Sequence, residues 1–103
     1  IAPEEVVFPL GVVIGFDNDD EAVAIANDSK FGLHGGVLTA DRAKAYEMAL
    51  RIRSGQVWIN GGVGNLYVKV PFGGYKRSGF GREMGPRWLK EFMQEKAIVY
   101  PIG

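Results

Sequence analysis

The stretch from Pro71 to Gly85 (Pro71-Phe72-Gly73-Gly74-Tyr75-Lys76-Arg77-Ser78-Gly79-Phe80-Gly81-Arg82-Glu83-Met84-Gly85) gathers the residue types from which a binding wall is made. Its glycines, Gly73, Gly74, Gly79 and Gly81 among them, permit positive φ or close backbone approach. Its rings supply apolar anchors. The remaining residues offer little that could drive a reaction. The chain has no cysteine, and so no thiolate nucleophile, disulfide framework or thiolate zinc site. Its one histidine, His34, cannot form a multi-histidine metal cluster. No serine, aspartate or cysteine is arranged to use it as a base, and an exposed loop position is expected for it. No catalytic residue and no metal ligand is assigned.

Two other chemistries bear on the same stretch. Gly79-Phe80-Gly81 followed by Arg82-Glu83-Met84 lacks both the last spaced glycine and the leading strand of a dinucleotide-binding fingerprint. Between Lys69 and Lys90 the cations Lys69, Lys76, Arg77, Arg82, Arg87 and Lys90 face only Glu83, with aromatic residues interleaved. Such a stretch can bind phosphates or single-stranded nucleic acid. That reading ranks last, behind a solvated face or one paired with acids: residues 1–29 carry Glu4, Glu5, Asp17, Asp19, Asp20, Glu21 and Asp28 and no lysine or arginine.

The elements that must position the loop follow from periodicity. Leu10–Phe16 is a short apolar run rich in β-branched residues, expected as a buried strand. Asn18 caps the next helix, with Glu21 completing a capping box and acids at its positive end. Val37–Thr39 is expected as a second strand. Thr39 or Asp41 caps a longer helix through about Arg53, its apolar stripe built on Ala45, Ala49 and Ile52, with Gly55 as its stop. Val57–Ile59 is a third strand, with the core position expected for Trp58. A helix starts at Gly85-Pro86, burying Trp88, Leu89, Phe92 and Met93. Ala97–Tyr100 is a terminal strand. The order β-α-β-α-β-loop-α-β implies an α/β class: a small three-layer-type fragment with a mainly parallel sheet. Composition is that of a globular chain, 47% apolar and 23% charged, and no apolar run approaches the ~20 residues that span a bilayer.

The irregular order Pro71-Phe72-Gly73-Gly74-Tyr75-Lys76, Ser78-Gly79, Gly81-Arg82-Glu83 and Gly85 resembles the carboxy-terminal part of the NAD(P)-dependent aldehyde dehydrogenase superfamily. Its flanks agree: Gly55–Asn60 before it, Glu91-Phe92 and Lys96-Ala97 after it, and Asp20–Ala22, Ala26–Ser29 and Phe31–Leu33 upstream. The resemblance implies that residues 1–96 are the late part of a catalytic domain. It also implies that 97–103 is a terminal oligomerisation strand, with no second domain.

The same resemblance assigns residues. Glu5 falls where a family glutamate holds the nicotinamide ribose hydroxyls, although Val7 stands where that segment has phenylalanine and Phe8 where it has glycine. Glu5 reads equally as an exposed glutamate ahead of a strand. Phe72 matches a phenylalanine lining the aldehyde pocket, or else anchors the loop. Asn60 matches a structural asparagine, suited to bonding backbone with its side chain. Arg82 and Glu83 either pair with each other or brace the loop. Gly62 to Asn65 fall at the substrate-entrance loop.

The complete family enzyme oxidises an aldehyde to a carboxylic acid with NAD or NADP, through a cysteine nucleophile that this chain lacks. The isolated chain is therefore expected to be catalytically silent and to bind no cofactor. The alternative is a stand-alone non-catalytic module that self-associates, or docks on a longer relative, through the terminal strand. Partners follow accordingly: another copy or the rest of a subunit, a small aldehyde only in the complete enzyme, no membrane and no nucleic acid. A cytoplasmic location is expected.

Overall fold

The computed structural model describes residues 4–61 and 67–103. Its centre is a β-α-β unit: strand β2 (His34–Val37), helix α2 (Arg42–Arg51) and strand β3 (Gln56–Ile59). β2 and β3 pair in parallel, with His34 opposite Gln56, Gly35 opposite Val57, Gly36 opposite Trp58 and Val37 opposite Ile59. Helix α2 packs on both strands, and helix α1 (Asp19–Asn27) packs on α2. A second pair is antiparallel: β1 (Phe31–Gly32) with β4 (Tyr75–Lys76), which ties the glycine-rich loop to the segment before β2.

Both helices begin as local chemistry dictates. Asn18 Oδ1 accepts from the Glu21 amide at 2.9 Å. The return bond of the capping box lands one residue early, Asp17 N donating to the Glu21 carboxylate at 2.7 Å. Asp41 caps α2 by accepting from Lys44 N at 3.0 Å, while Thr39 Oγ1 accepts from Asp41 N at 3.1 Å. The helices are stitched by charge: Lys44 meets Asp19 at 2.8 Å and Arg51 meets Asp20, while within α2 Arg51 also meets Glu47 at 3.6 Å. The core is small. Val23 on α1, Val37 on β2 and Ala45 on α2 are the buried apolar side chains among the described residues.

Several expectations are corrected. Leu10–Phe16 and Ala97–Tyr100 form no strand; both are exposed along their length. An apolar β-branched run becomes a strand only where a neighbouring edge accepts its backbone, and neither run meets one among the described residues. Among the described residues the mainly parallel sheet is accordingly replaced by two two-stranded sheets, one parallel and one antiparallel. The second strand starts three residues earlier than expected, at His34, and α2 ends at Arg51 with Ile52 as its cap. The last helix is a five-residue 3₁₀ segment, Trp88–Phe92, buried on no side, with Trp88 43% and Phe92 78% exposed. So short a helix gains stability only from packing, and here its apolar side is open.

Candidate functional site

The glycine-rich loop is closed on itself by backbone. Phe72 N donates to Glu83 O at 2.8 Å and Glu83 N returns to Phe72 O at 2.7 Å, an isolated antiparallel bridge that joins the two limbs. Between them Arg82 reaches inward. Its Nη1 donates to the carbonyls of Gly81 at 2.6 Å and Gly74 at 3.1 Å, and its guanidinium carbon lies 5.4 Å from the centre of the Tyr75 ring. Arg82 therefore braces the loop through carbonyls and a ring; among the described residues it forms no ion pair with Glu83.

The four assigned glycines sit inside this construction. A Cβ on Gly73 would come 2.5 Å from the Gly81 carbonyl oxygen, and one on Gly74 would come 2.5 Å from Ser78 Cβ. Gly79 and Gly81 take φ of 125° and 81°. The loop is anchored outward as well. Ser78 Oγ accepts from Gly32 N at 2.9 Å, Arg77 N donates to Lys30 O at 2.9 Å, and Lys76 Nζ donates to the carbonyls of Asn27 at 2.8 Å and Ser29 at 2.9 Å. Lys76 thus lies at the negative end of α1, where a cation is favoured. Two cations of the basic stretch, Lys76 and Arg82, are engaged with protein carbonyls rather than presented to an anion.

Phe72 is half-buried and lines an open groove of about 310 Å³ with Leu33, Ser78, Phe80, Arg82 and Glu91. On its other side lies the His34 ring, with centroids 5.6 Å apart and planes tilted by 43°. His34 is therefore the first residue of β2 rather than an exposed loop residue, and its Nδ1 is buried without a hydrogen-bond partner. Glu5 is exposed and lines a separate, more polar groove of about 350 Å³ with Ser29, His34, Ser54 and Ser78. Glu5 and Phe72 thus line different grooves, which share Leu33 and Ser78.

Asn60 follows β3 at φ 52° and brackets Thr39, accepting from its amide at 2.9 Å and donating to its carbonyl at 2.8 Å. Trp58 is partly buried and stacks on Tyr67, with centroids 5.6 Å apart. The substrate-entrance positions Gly62 to Asn65 lie outside the described residues.

The comparisons match this loop as part of nearly the whole chain. The profile of the aldehyde dehydrogenase family matches residues 1–98. The chain belongs to the aldehyde dehydrogenase family. A betaine aldehyde dehydrogenase of Rhizobium leguminosarum bv. trifolii is 44% identical over 104 residues, covering 100% of this chain and 21% of that protein. One from Brucella ovis is 45% identical over the same coverage.

Among solved structures, an NAD-dependent aldehyde dehydrogenase from Sinorhizobium meliloti matches with a TM-score of 0.86 at 40% identity, covering 90% of this chain and 18% of that one. A betaine aldehyde dehydrogenase variant from Staphylococcus aureus, in complex with NAD⁺, matches at 0.83 and 44% identity, covering 87% and 18%. The chain spans about a fifth of the length of the curated aldehyde dehydrogenases it matches. No helix among the described residues is long and apolar enough to cross a membrane.

Sequence reasoning missed three participants of the site. His34 backs Phe72, and Lys76 fastens the loop to α1. The third is Gln56, whose Nε2 donates to Pro71 O at 3.1 Å. A rung of a four-residue parallel ladder leaves no periodic mark that could have revealed His34 and Gln56 as neighbours.

Proposed function

We propose that this chain supplies the carboxy-terminal part of an NAD(P)-dependent aldehyde dehydrogenase subunit that oxidises an aldehyde to a carboxylic acid. Residues 1–96 complete the catalytic domain, and 97–103 are the terminal strand that pairs with another subunit in a cytoplasmic oligomer. The observation that carries the reading is the Phe72–Glu83 bridge, which holds a half-buried ring over an open groove at the start of the family-matched loop. A ring so placed excludes water and packs an apolar acyl group, which suits a pocket wall. The remaining layers of the fold, and the edges that Leu10–Phe16 and Ala97–Tyr100 need, come from the rest of the subunit and its partner.

In the complete enzyme, NAD or NADP would supply the hydride acceptor. Glu5 fits the ribose of that cofactor: an exposed carboxylate in a groove bordered by the hydroxyls of Ser29, Ser54 and Ser78 can accept hydrogen bonds from a diol. The sequence carries no cysteine nucleophile, and no general base or oxyanion hole is recognisable in it, so the isolated chain is silent.

The test is to express the polypeptide of the entire open reading frame and, separately, residues 1–103, and to follow reduction of NAD⁺ and NADP⁺ with added aldehydes. Betaine aldehyde comes first, because the curated relatives quoted above are betaine aldehyde dehydrogenases. Turnover by the longer polypeptide and none by the shorter is the expected result. Turnover by residues 1–103 alone, or a native reading frame no longer than this chain, overturns the proposal.

One observation favours a second reading, a non-catalytic module that associates through its tail. Ile98, Val99, Tyr100 and Ile102 are 85–98% exposed. An unpaired apolar edge of that kind recruits another strand. Light scattering separates the two: a natural 103-residue protein that forms defined oligomers, lost on truncation after Lys96, supports the module.

A further inference from the structure

We propose that the rung formed by His34 and Gln56 sets the position of Phe72, which makes His34 a positioning residue for the aldehyde wall. The inference deepens the proposed function, since it takes Phe72 as that wall.

The two residues are direct partners in the parallel register of β2 and β3, so their side chains leave the same face of the sheet. Each holds a different part of the Phe72 segment. Gln56 Nε2 donates to the carbonyl of Pro71, the residue immediately before Phe72, at 3.1 Å. The His34 ring meets the Phe72 ring itself, 5.6 Å between centroids at 43°. With the Phe72 amide and carbonyl both committed to Glu83, the backbone is fixed from two sides. What remains free is the side-chain rotation of Phe72, and the His34 ring is the aromatic contact that limits it.

The imidazole is an unexpected choice for a purely space-filling role. Its Nδ1 is buried with no hydrogen-bond partner, a condition that native structures rarely tolerate without a compensating contact. Its aromatic neighbour is the tilted Phe72 ring, 5.6 Å away between centroids. His34 also borders the groove of Glu5 while Phe72 borders its own, so the His34–Phe72 pair is the partition between the two. Removing the imidazole opens the partition and lets the Phe72 ring swing toward the Glu5 side.

The experiment uses the polypeptide of the entire open reading frame, as wild type, His34→Ala, His34→Phe and Gln56→Met. With the aldehyde as varied substrate, His34→Ala is expected to raise KM roughly three- to tenfold, the scale of one aromatic contact, with kcat within about twofold of wild type. His34→Phe keeps a ring without the orphaned nitrogen and is expected to restore KM. Gln56→Met shifts KM in the same direction as His34→Ala. An unchanged KM in His34→Ala, a loss confined to kcat, or failure of His34→Phe to restore KM overturns the inference.

Crystal structures of wild type and His34→Ala provide a readout independent of turnover: superposed on the paired strands β2 and β3, the Phe72 ring is expected to rotate away from its wild-type position, and a ring that stays refutes the role. A wild-type polypeptide that oxidises no aldehyde counts against the proposed function, while the ring position still judges His34.

Discussion

Asn60 and Thr39 hold each other by a reciprocal pair of hydrogen bonds, the Asn60 side chain accepting from the Thr39 amide at 2.9 Å and donating to its carbonyl at 2.8 Å. The pair joins the chain leaving β2 to the chain leaving β3, just beyond their last rung at Val37 and Ile59. Asn60 is exposed and Thr39 half-buried, and each bond contributes about 0.5–1.5 kcal/mol. Asn60→Gly removes the side chain while tolerating φ 52°, and is expected to accelerate amide exchange at Thr39 roughly two- to tenfold. Asn60→Ala should cost more, because alanine adds strain at positive φ. Equal effects from the two would show that the backbone there is relaxed.

Gly55 and Gly73 approach so closely that a Cβ on Gly55 would fall on the Gly73 carbonyl. Backbone cannot step aside as a flexible side chain can. Gly55→Ala is therefore expected to destabilise by about 1–3 kcal/mol and to separate β3 from the glycine-rich loop, measured as lower thermal stability and faster exchange at Gly55 N. Gly36→Ala is the control: its Cβ would meet nothing closer than the Trp58 carbonyl at 3.8 Å, and little change is expected.

Lys76 lends its ammonium group to two carbonyls at the end of α1. Lys76→Met keeps the stem and deletes the donor, and is expected to lose about 0.3–1 kcal/mol. Because the site is exposed, the difference between the two proteins should shrink in ~1 M salt. A difference that salt leaves intact would point to lost packing instead.

Lys44 holds its proton more tightly than a free lysine does. Its hydrogen bond to Asp19, and then the charge of Asp19, hold its pKa above the ordinary lysine value of 10.5. The folded form binds this proton more tightly than the unfolded form. Its contribution is therefore complete below the unfolded value and is lost as pH rises through the raised folded one. Wild type should lose more stability than Lys44→Gln on moving from neutral pH to above 10.5. Parallel decline of the two in an alkaline melting series would exclude the linkage.

What could be read from sequence was local. Asn18 with Glu21, and Asp41 ahead of Lys44, marked helix starts because a cap acts within three residues. Leu10–Phe16 and Ala97–Tyr100 had the composition of buried strands but depend on edges that no neighbouring residue supplies. The two-residue pairing of Phe31–Gly32 with Tyr75–Lys76 is too short to leave any periodicity, and so the loop was read without its tether. At the site, the glycines were found from residue type and spacing, and the role of Phe72 by family resemblance. His34 was placed on the surface because a lone histidine between glycines carries no sign of the ring it packs against.

The sparse interior of Val23, Val37 and Ala45 has a calorimetric meaning. A radius of gyration of 18.4 Å, against about 13 Å for a compact chain of 100 residues, leaves most apolar side chains already hydrated. Denaturation would then expose little new surface. The heat-capacity step of the free chain should fall well below the ~1.2–1.5 kcal/mol/K usual for this length, and its melting should be broad and shallow. Sharp, cooperative melting would be a property conferred by whatever covers those side chains.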